Sequence, residues 1–257
     1  MSWNEFVYFA VASLLLWSLG SVLLYTRKSP VAAIVSIIGG IIVFAAFIAG
    51  LWAGQGHPPL RTMGETRLWY SFFIAIVGFV TYLHWKYKWI MAYSVVVSGV
   101  FVFVNLLKPE IHTTNLMPAL QSPWFVPHVT VYILSYALLG AATIASFIAI
   151  RELKKGEQRL MPLIDNLVYI GLGFLMMGML MGALWAKEAW GDFWSWDPKE
   201  VWAFITAAAY LVYIHARLIN YKLKYLLWLL PIAFILLMIT WIGVNYLPAA
   251  QGSIHVY

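Results

Sequence analysis

The chain has 257 residues, of which 63% are hydrophobic and only 10% charged, with a mean hydropathy of +0.83. A soluble domain carries roughly 25% charged residues, so this composition excludes an ordinary soluble enzyme. It predicts an all-α polytopic membrane bundle, expected as one transmembrane domain over 1–257. With no cysteine, the chain has no disulfide, no thiol nucleophile and no CxxCH motif of its own.

Apolar runs of about 20 residues, each able to cross a hydrocarbon core of ~30 Å, predict eight spans. They fall near 4–25, 31–52, 68–85, 89–107, 125–150, 165–186, 201–217 and 225–247. The first run lacks a positive n-region and a small-residue cleavage site, and is too long for a leader, so it reads as a span. Arg27, Lys28, Lys86, Lys88, Arg151, Lys154, Lys155, Arg159, Arg217, Lys222 and Lys224 fall in the odd-numbered loops. Only Arg61, Arg67, Lys108, Lys187 and Lys199 fall on the other side. The positive-inside rule therefore predicts odd loops in the cytoplasm or stroma and both termini outside. The net charge of +6 is mostly this topology signal and gives no reason to expect nucleic acid.

Outside, between the sixth and seventh spans, lies WGDFWSWDPKE, residues 190–200. Its second part has a local job. Asp197 suits an N-cap, Pro198 the first helical position and Glu200 the third, a capping-box spacing just ahead of an apolar run. Its first part exceeds what an interface belt needs. Trp185, Trp190, Phe193, Trp194, Trp196 and Trp202 crowd one region, with Gly191 allowing a tight bend. That cluster predicts a broad, flat apolar platform with N–H donors at its edges, suited to a large planar aromatic ligand.

Six histidines complete the inventory. His57, His112, His128 and His255 sit outside; His84 and His215 sit near inner helix ends. Histidine is a common metal ligand and an axial ligand of haem iron. His215 lies 18 residues beyond Asp197, about 27 Å along a helix, so it shares no iron with an outer histidine. It is either structural or part of a second, inner site. His84 reaches a similar depth and either faces His215 or caps its own helix end. Neither His57 nor His112 acquires a role.

WAKEAWGDFWSWDPKEVWAF closely resembles the tryptophan-rich WWD signature of the cytochrome c assembly family, and its WDPKE ending the CcsA (ResC) branch of the system II pathway. The related CcmC and CcmF proteins share the tryptophan core but continue differently. HVTVYILSYALL, YIHAR, GSIHVY and HPPLRTMGETRLWYSFF resemble further family segments, covering most of 51–257.

The resemblance implies a protein of the bacterial cytoplasmic or thylakoid membrane that binds haem b as ligand or substrate. It would move haem to the outer face and present it for attachment to a CxxCH-bearing apocytochrome c, as part of a cytochrome c synthase. His128 and His255 match the two outer axial ligands of the haem iron, and His215 the family's intramembrane histidine. In that family a CcsB (ResB)-like membrane subunit normally supplies the second inner ligand; here either such a partner supplies it or His84 substitutes for it. Thiol-reducing proteins would act indirectly.

On this basis Trp190, Gly191, Phe193, Trp194, Trp196 and Asp197 form the haem-holding stretch. Arg61, Arg67, Lys187 and Lys199 are candidates for the propionates. Glu188, Asp192, Asp197 and Glu200 are expected to shape the loop rather than act as acid or base. Three alternatives stand beside this reading. One is a CcmC-like exporter handing haem to a chaperone. The second is a secondary transporter, which predicts inverted repeats, none being visible in the sequence. The third is a membrane oxidase, which needs mid-membrane histidine clusters that are absent.

Overall fold

The computed structural model describes residues 1–26, 30–112 and 122–248. Arg27, Lys28 and His255 lie outside the described residues. The chain forms α1 (Phe6–Thr26), α2 (Pro30–Gln55), α3 (Met63–Trp85), α4 (Lys88–Leu107), α5 (Phe125–Leu153), α6 (Met161–Trp190), α7 (Pro198–Leu218) and α8 (Leu223–Trp241). All eight are long and apolar enough to cross a membrane, and no strand occurs among the described residues. The expected all-α membrane architecture with eight spans is the observed one.

Three helices differ most from expectation. Helix α3 starts at Met63 rather than near 68, because polar residues there are helical through a capping box. Thr62 Oγ1 accepts from the Glu65 N–H at 3.1 Å, and the Glu65 carboxylate accepts from the Thr62 N–H at 2.9 Å. Helix α6 exceeds the expected 165–186 at both ends, so Trp190 is helical. Helix α8 stops at Trp241, and Gly243–Tyr246 forms a 3₁₀ turn instead of continuing it.

The chain divides into two compact units, Met1–Leu116 and Met117–Tyr257. In the first, α1 packs on α2 and α4, and α3 on α4 and α2; in the second, α5 packs on α6 and α8, and α7 on α8 and α6. The correspondence extends to the turns. Gly56 (φ 72°) follows α2 and Gly191 (φ 96°) follows α6. The N-caps are Thr62 and Asp197, the third helical residues Glu65 and Glu200, and the next helices begin at Lys88 and Leu223. Each of these pairs is separated by 135 residues. The units are therefore an architectural repeat that sequence inspection missed, since GHPPLRT and GDFWSWD share only their turn chemistry.

Close helix approach within the first unit depends on glycine. A Cβ at Gly20 of α1 would lie 2.9 Å from the Ala33 carbonyl oxygen and 2.6 Å from Ile37 Cγ1 of α2. The backbone atom has no way to yield without moving the helix. Gly20→Leu is expected to destabilise the protein by about 1–3 kcal/mol through overpacking, read as a lowered thermal midpoint in detergent.

Candidate functional site

The aromatic stretch divides in two. Trp185 is 2% exposed and packs at 4.8 Å from Trp190, 5.3 Å from Phe125 and 5.5 Å from His128. These rings belong to α5 and α6. Beyond Gly191 the chain leaves the helix and turns Phe193 (54% exposed) and Trp196 (66% exposed) outward. Trp194 and Trp196 meet edge to face at 5.8 Å and 86°, and Trp196 also meets Phe204 of α7 at 6.3 Å. The rings thus form a stepped aromatic wall rather than the single flat platform expected. The difference arises because α6 runs on to Trp190, so only 193–196 are free to project.

Polar contacts fix this wall. Lys187 Nζ donates to the Gly191 carbonyl at 2.5 Å and lies 5.4 Å over the Phe193 ring. Glu188 accepts from Ser122 Oγ at 2.6 Å, tying α6 to the residues ahead of α5. Asp197 and Glu200 form the expected capping box at α7. Glu200 Oε2 also reaches back, accepting from the Ser195 N–H at 2.9 Å and the Asp197 N–H at 3.1 Å. Between those residues Trp196 has φ 58°, a left-handed conformation that costs a bulky residue on the order of 1–3 kcal/mol. Glu188, Asp197 and Glu200 each accept hydrogen bonds that shape the loop. The Trp194 indole N–H is buried and has no hydrogen-bond partner among the described residues.

His128 lies in the first turn of α5, with Nδ1 2.8 Å from the Gly178 carbonyl of α6. A carbonyl only accepts, so Nδ1 carries the proton and Nε2 the lone pair. The ring sits edge-on to Tyr132 at 4.6 Å. Two glycines of α6 make this seat. A Cβ at Gly182 would lie 2.7 Å from His128 Cε1, and one at Gly178 would lie 2.9 Å from the Tyr132 ring. The GMLMG of α6 is a small-xxx-small groove. What this groove receives is a histidine, which the sequence alone did not reveal.

His215 of α7 has Nδ1 2.8 Å from the carbonyl of Leu211 one turn earlier, and is exposed. It has the same tautomer as His128. On the opposite face of α7, Tyr213 donates to Asp165 Oδ1 at 2.8 Å. Arg217 donates through Nε at 2.9 Å to Oδ1 and through Nη2 at 2.6 Å to Oδ2. Asp165, another residue that sequence reading left unused, thereby pins α7 to α6.

The remaining described histidines are in the first unit. His84 is exposed in the last turn of α3, edge-on to Trp85 at 5.2 Å. His57 Nδ1 lies 3.2 Å from the Pro58 carbonyl. His112 stacks on Trp3 at 3.7 Å and 7°. Among the described residues no group of three His, Cys, Asp or Glu is arranged to hold a metal ion.

Eight apolar helices, a tryptophan-rich loop and a seated imidazole define an integral membrane protein with an exposed aromatic wall. Residues 62–250 match the family model described as "Cytochrome C assembly protein". The chain is 33% identical over 232 residues to the protein NrfI of Wolinella succinogenes, covering 83% of this chain and 25% of that one. It is 31% identical over 269 residues to the cytochrome c biogenesis protein CcsA of Mesostigma viride, covering 84% of each. For CcsA of Trachelium caeruleum the identity is 30% over 226 residues, covering 70% of this chain and 72% of that one. The chain belongs to the cytochrome c assembly protein family.

His112 is half-buried in the first unit. Burial pushes its imidazole below the ordinary range, opposed by the Asn105 carbonyl and the charges of Glu110 and Glu65. Folding therefore favours the neutral ring. Its contribution is present above the unfolded value of about 6.5 and is lost as pH falls from there through the lower folded value. Thermal midpoints measured from pH 7.5 downward should drop below about pH 6.5, and His112→Phe should flatten that part of the profile.

Proposed function

We propose that the protein carries haem b across the membrane and presents it at the outer aromatic wall for attachment to a CxxCH-bearing apocytochrome c. It works with a CcsB (ResB)-like membrane subunit as a cytochrome c synthase, thiol-reducing proteins acting indirectly on the substrate thiols. The proposed setting is a bacterial cytoplasmic or thylakoid membrane, with both termini and the tryptophan loop outside. Membership of the cytochrome c assembly family and relatives named CcsA support the reading.

The observation that carries it is the seat of His128. Nδ1 donates to the Gly178 carbonyl, so the basic nitrogen is Nε2, the orientation that suits an axial ligand to iron. The second outer ligand on this reading is His255. Trp190, Phe193, Trp194 and Trp196 offer apolar faces to a macrocycle, Gly191 lets the chain turn between them, and Asp197 starts the helix that bounds them. The buried Trp194 N–H is a donor of the kind a propionate accepts. The donor set of imidazole, indole and aromatic face fits a planar iron dicarboxylate. At the inner side His215, with the same tautomer, offers Nε2 to haem on entry, opposite a ligand from the partner subunit.

Transfer to a haem chaperone is the second reading; the WDPKE ending and the CcsA relatives favour synthase. A secondary transporter draws no support from the family match.

The purified full-length protein, loaded with haem in detergent, is expected to show a Soret band with bis-histidine character. Substituting either His128→Ala or His255→Ala should abolish the outer haem signal. Gly182→Ala should weaken it, because the added methyl occupies the place of the His128 ring. Normal haem occupancy in the double histidine variant overturns the proposal, and co-purification with a chaperone in place of a CcsB-like subunit favours the second reading.

A further inference from the structure

We propose that Glu200 is a positioning residue for haem, acting through Trp196: its carboxylate holds Trp196 in a left-handed conformation and so keeps that ring on the outer wall. The inference rests on the haem-presentation reading and adds to it a role for the glutamate that follows the tryptophans.

Three observations carry it. First, Glu200 Oε2 takes the backbone N–H groups on either side of Trp196, those of Ser195 at 2.9 Å and Asp197 at 3.1 Å, with Ser195 Oγ at 3.4 Å. The tryptophan between them is bracketed by one buried carboxylate oxygen.

Second, the strain at Trp196 has no helix-ending purpose. Among the described residues only Lys86, Trp196 and Asn220 are non-glycine residues with positive φ. Lys86 caps the C-terminus of α3 and Asn220 follows the end of α7, where a left-handed residue satisfies the last helical carbonyls. Trp196 precedes a helix N-cap instead.

Third, the first unit supplies an internal control. Glu65 occupies the equivalent place at the start of α3, and its Oε2 accepts from the N–H groups of Arg61 and Thr62 at 2.7 and 2.9 Å. Arg61 corresponds to Trp196, and its φ is not positive. Starting a helix with this glutamate therefore needs no left-handed residue. In the second unit the bond moves from residue 196 to residue 195, and the change turns Trp196 over. Its ring ends 66% exposed, against Trp194 and Phe204.

The test uses the full-length protein in detergent, titrated with haem and followed at the Soret band, with amide hydrogen exchange at residues 195–197. Glu200→Gln is expected to weaken haem binding roughly tenfold, the scale of one charge-assisted hydrogen bond, and to speed exchange at Ser195 and Asp197. Trp196→Ala should weaken it equally, and the double variant no further. Glu65→Gln should lower thermal stability and leave the haem titration unchanged. Glu200→Asp keeps an acid in the first turn of α7 but is one methylene too short to reach Ser195, and should reproduce the haem defect in a folded protein. Unaltered amide protection in Glu200→Gln, or additive effects in the double variant, overturns the positioning role. Haem binding indifferent to Trp196→Ala would instead remove the ring from the haem site, a failure of the underlying reading that leaves the exchange result to be judged separately.

Discussion

Each four-helix unit depends on one buried glutamate where the chain begins its third helix. The first N–H groups of a helix have no intrahelical acceptor, and at the edge of an apolar layer an unsatisfied group is costly. Glu65 and Glu200, 1% and 9% exposed, answer this with a carboxylate that also gathers N–H groups from the preceding loop. The loop is thereby tied to the helix start and has few ways to sit. In the first unit that rigidity holds GHPPLRT, with Trp69 Nε1 donating to the Pro59 carbonyl at 2.8 Å. In the second it holds a row of aromatic rings at the surface. A common scaffold has been given two different loops.

That division explains what was legible in the sequence. Spans were readable because their signal is bulk apolarity over about 20 residues, which needs no knowledge of neighbours. The start of α7 was readable because Asp-Pro-Lys-Glu encodes its cap locally. The start of α3 carries the same type of code, Thr62 with Glu65, but polar GETR conceals it when spans are judged by apolarity alone. The repeat was not readable at all. It resides in backbone conformation after Gly56 and Gly191 and in hydrogen bonds to carboxylates, and neither demands similar side chains between.

The candidate site shows the same limit. Composition identifies the aromatic crowding but not its division, because whether Trp190 belongs to helix or loop depends on where α6 ends. The backbone reversal at Trp196 has no local signature either. A tryptophan disfavours positive φ, so its conformation follows from a partner four residues later. His128 was visible as a residue type in a suggestive place. Its seat was not, because it is made by two glycines about fifty residues further along the chain.

The two imidazoles on the proposed haem route illustrate how orientation is divided between local and distant causes. Both donate through Nδ1 to a backbone carbonyl, so both keep Nε2 basic. For His128 the carbonyl belongs to another helix, and its direction depends on α5 and α6 staying in register across the Gly178–Gly182 groove. For His215 the carbonyl is in its own helix, so the ring is fixed relative to α7 but not relative to anything beyond it. Rotation of α7 about its axis must then be fixed by other residues. Tyr213 and Arg217, four residues apart, share one face, and His215 midway between them points about 200° from either. The fork of Arg217 on Asp165, with Tyr213 on the same carboxylate, locks that face to α6. Asp165, on the opposite face of α7, therefore helps to set which way His215 faces, together with the packing of α7 on α8 and the Thr206–Thr240 contact.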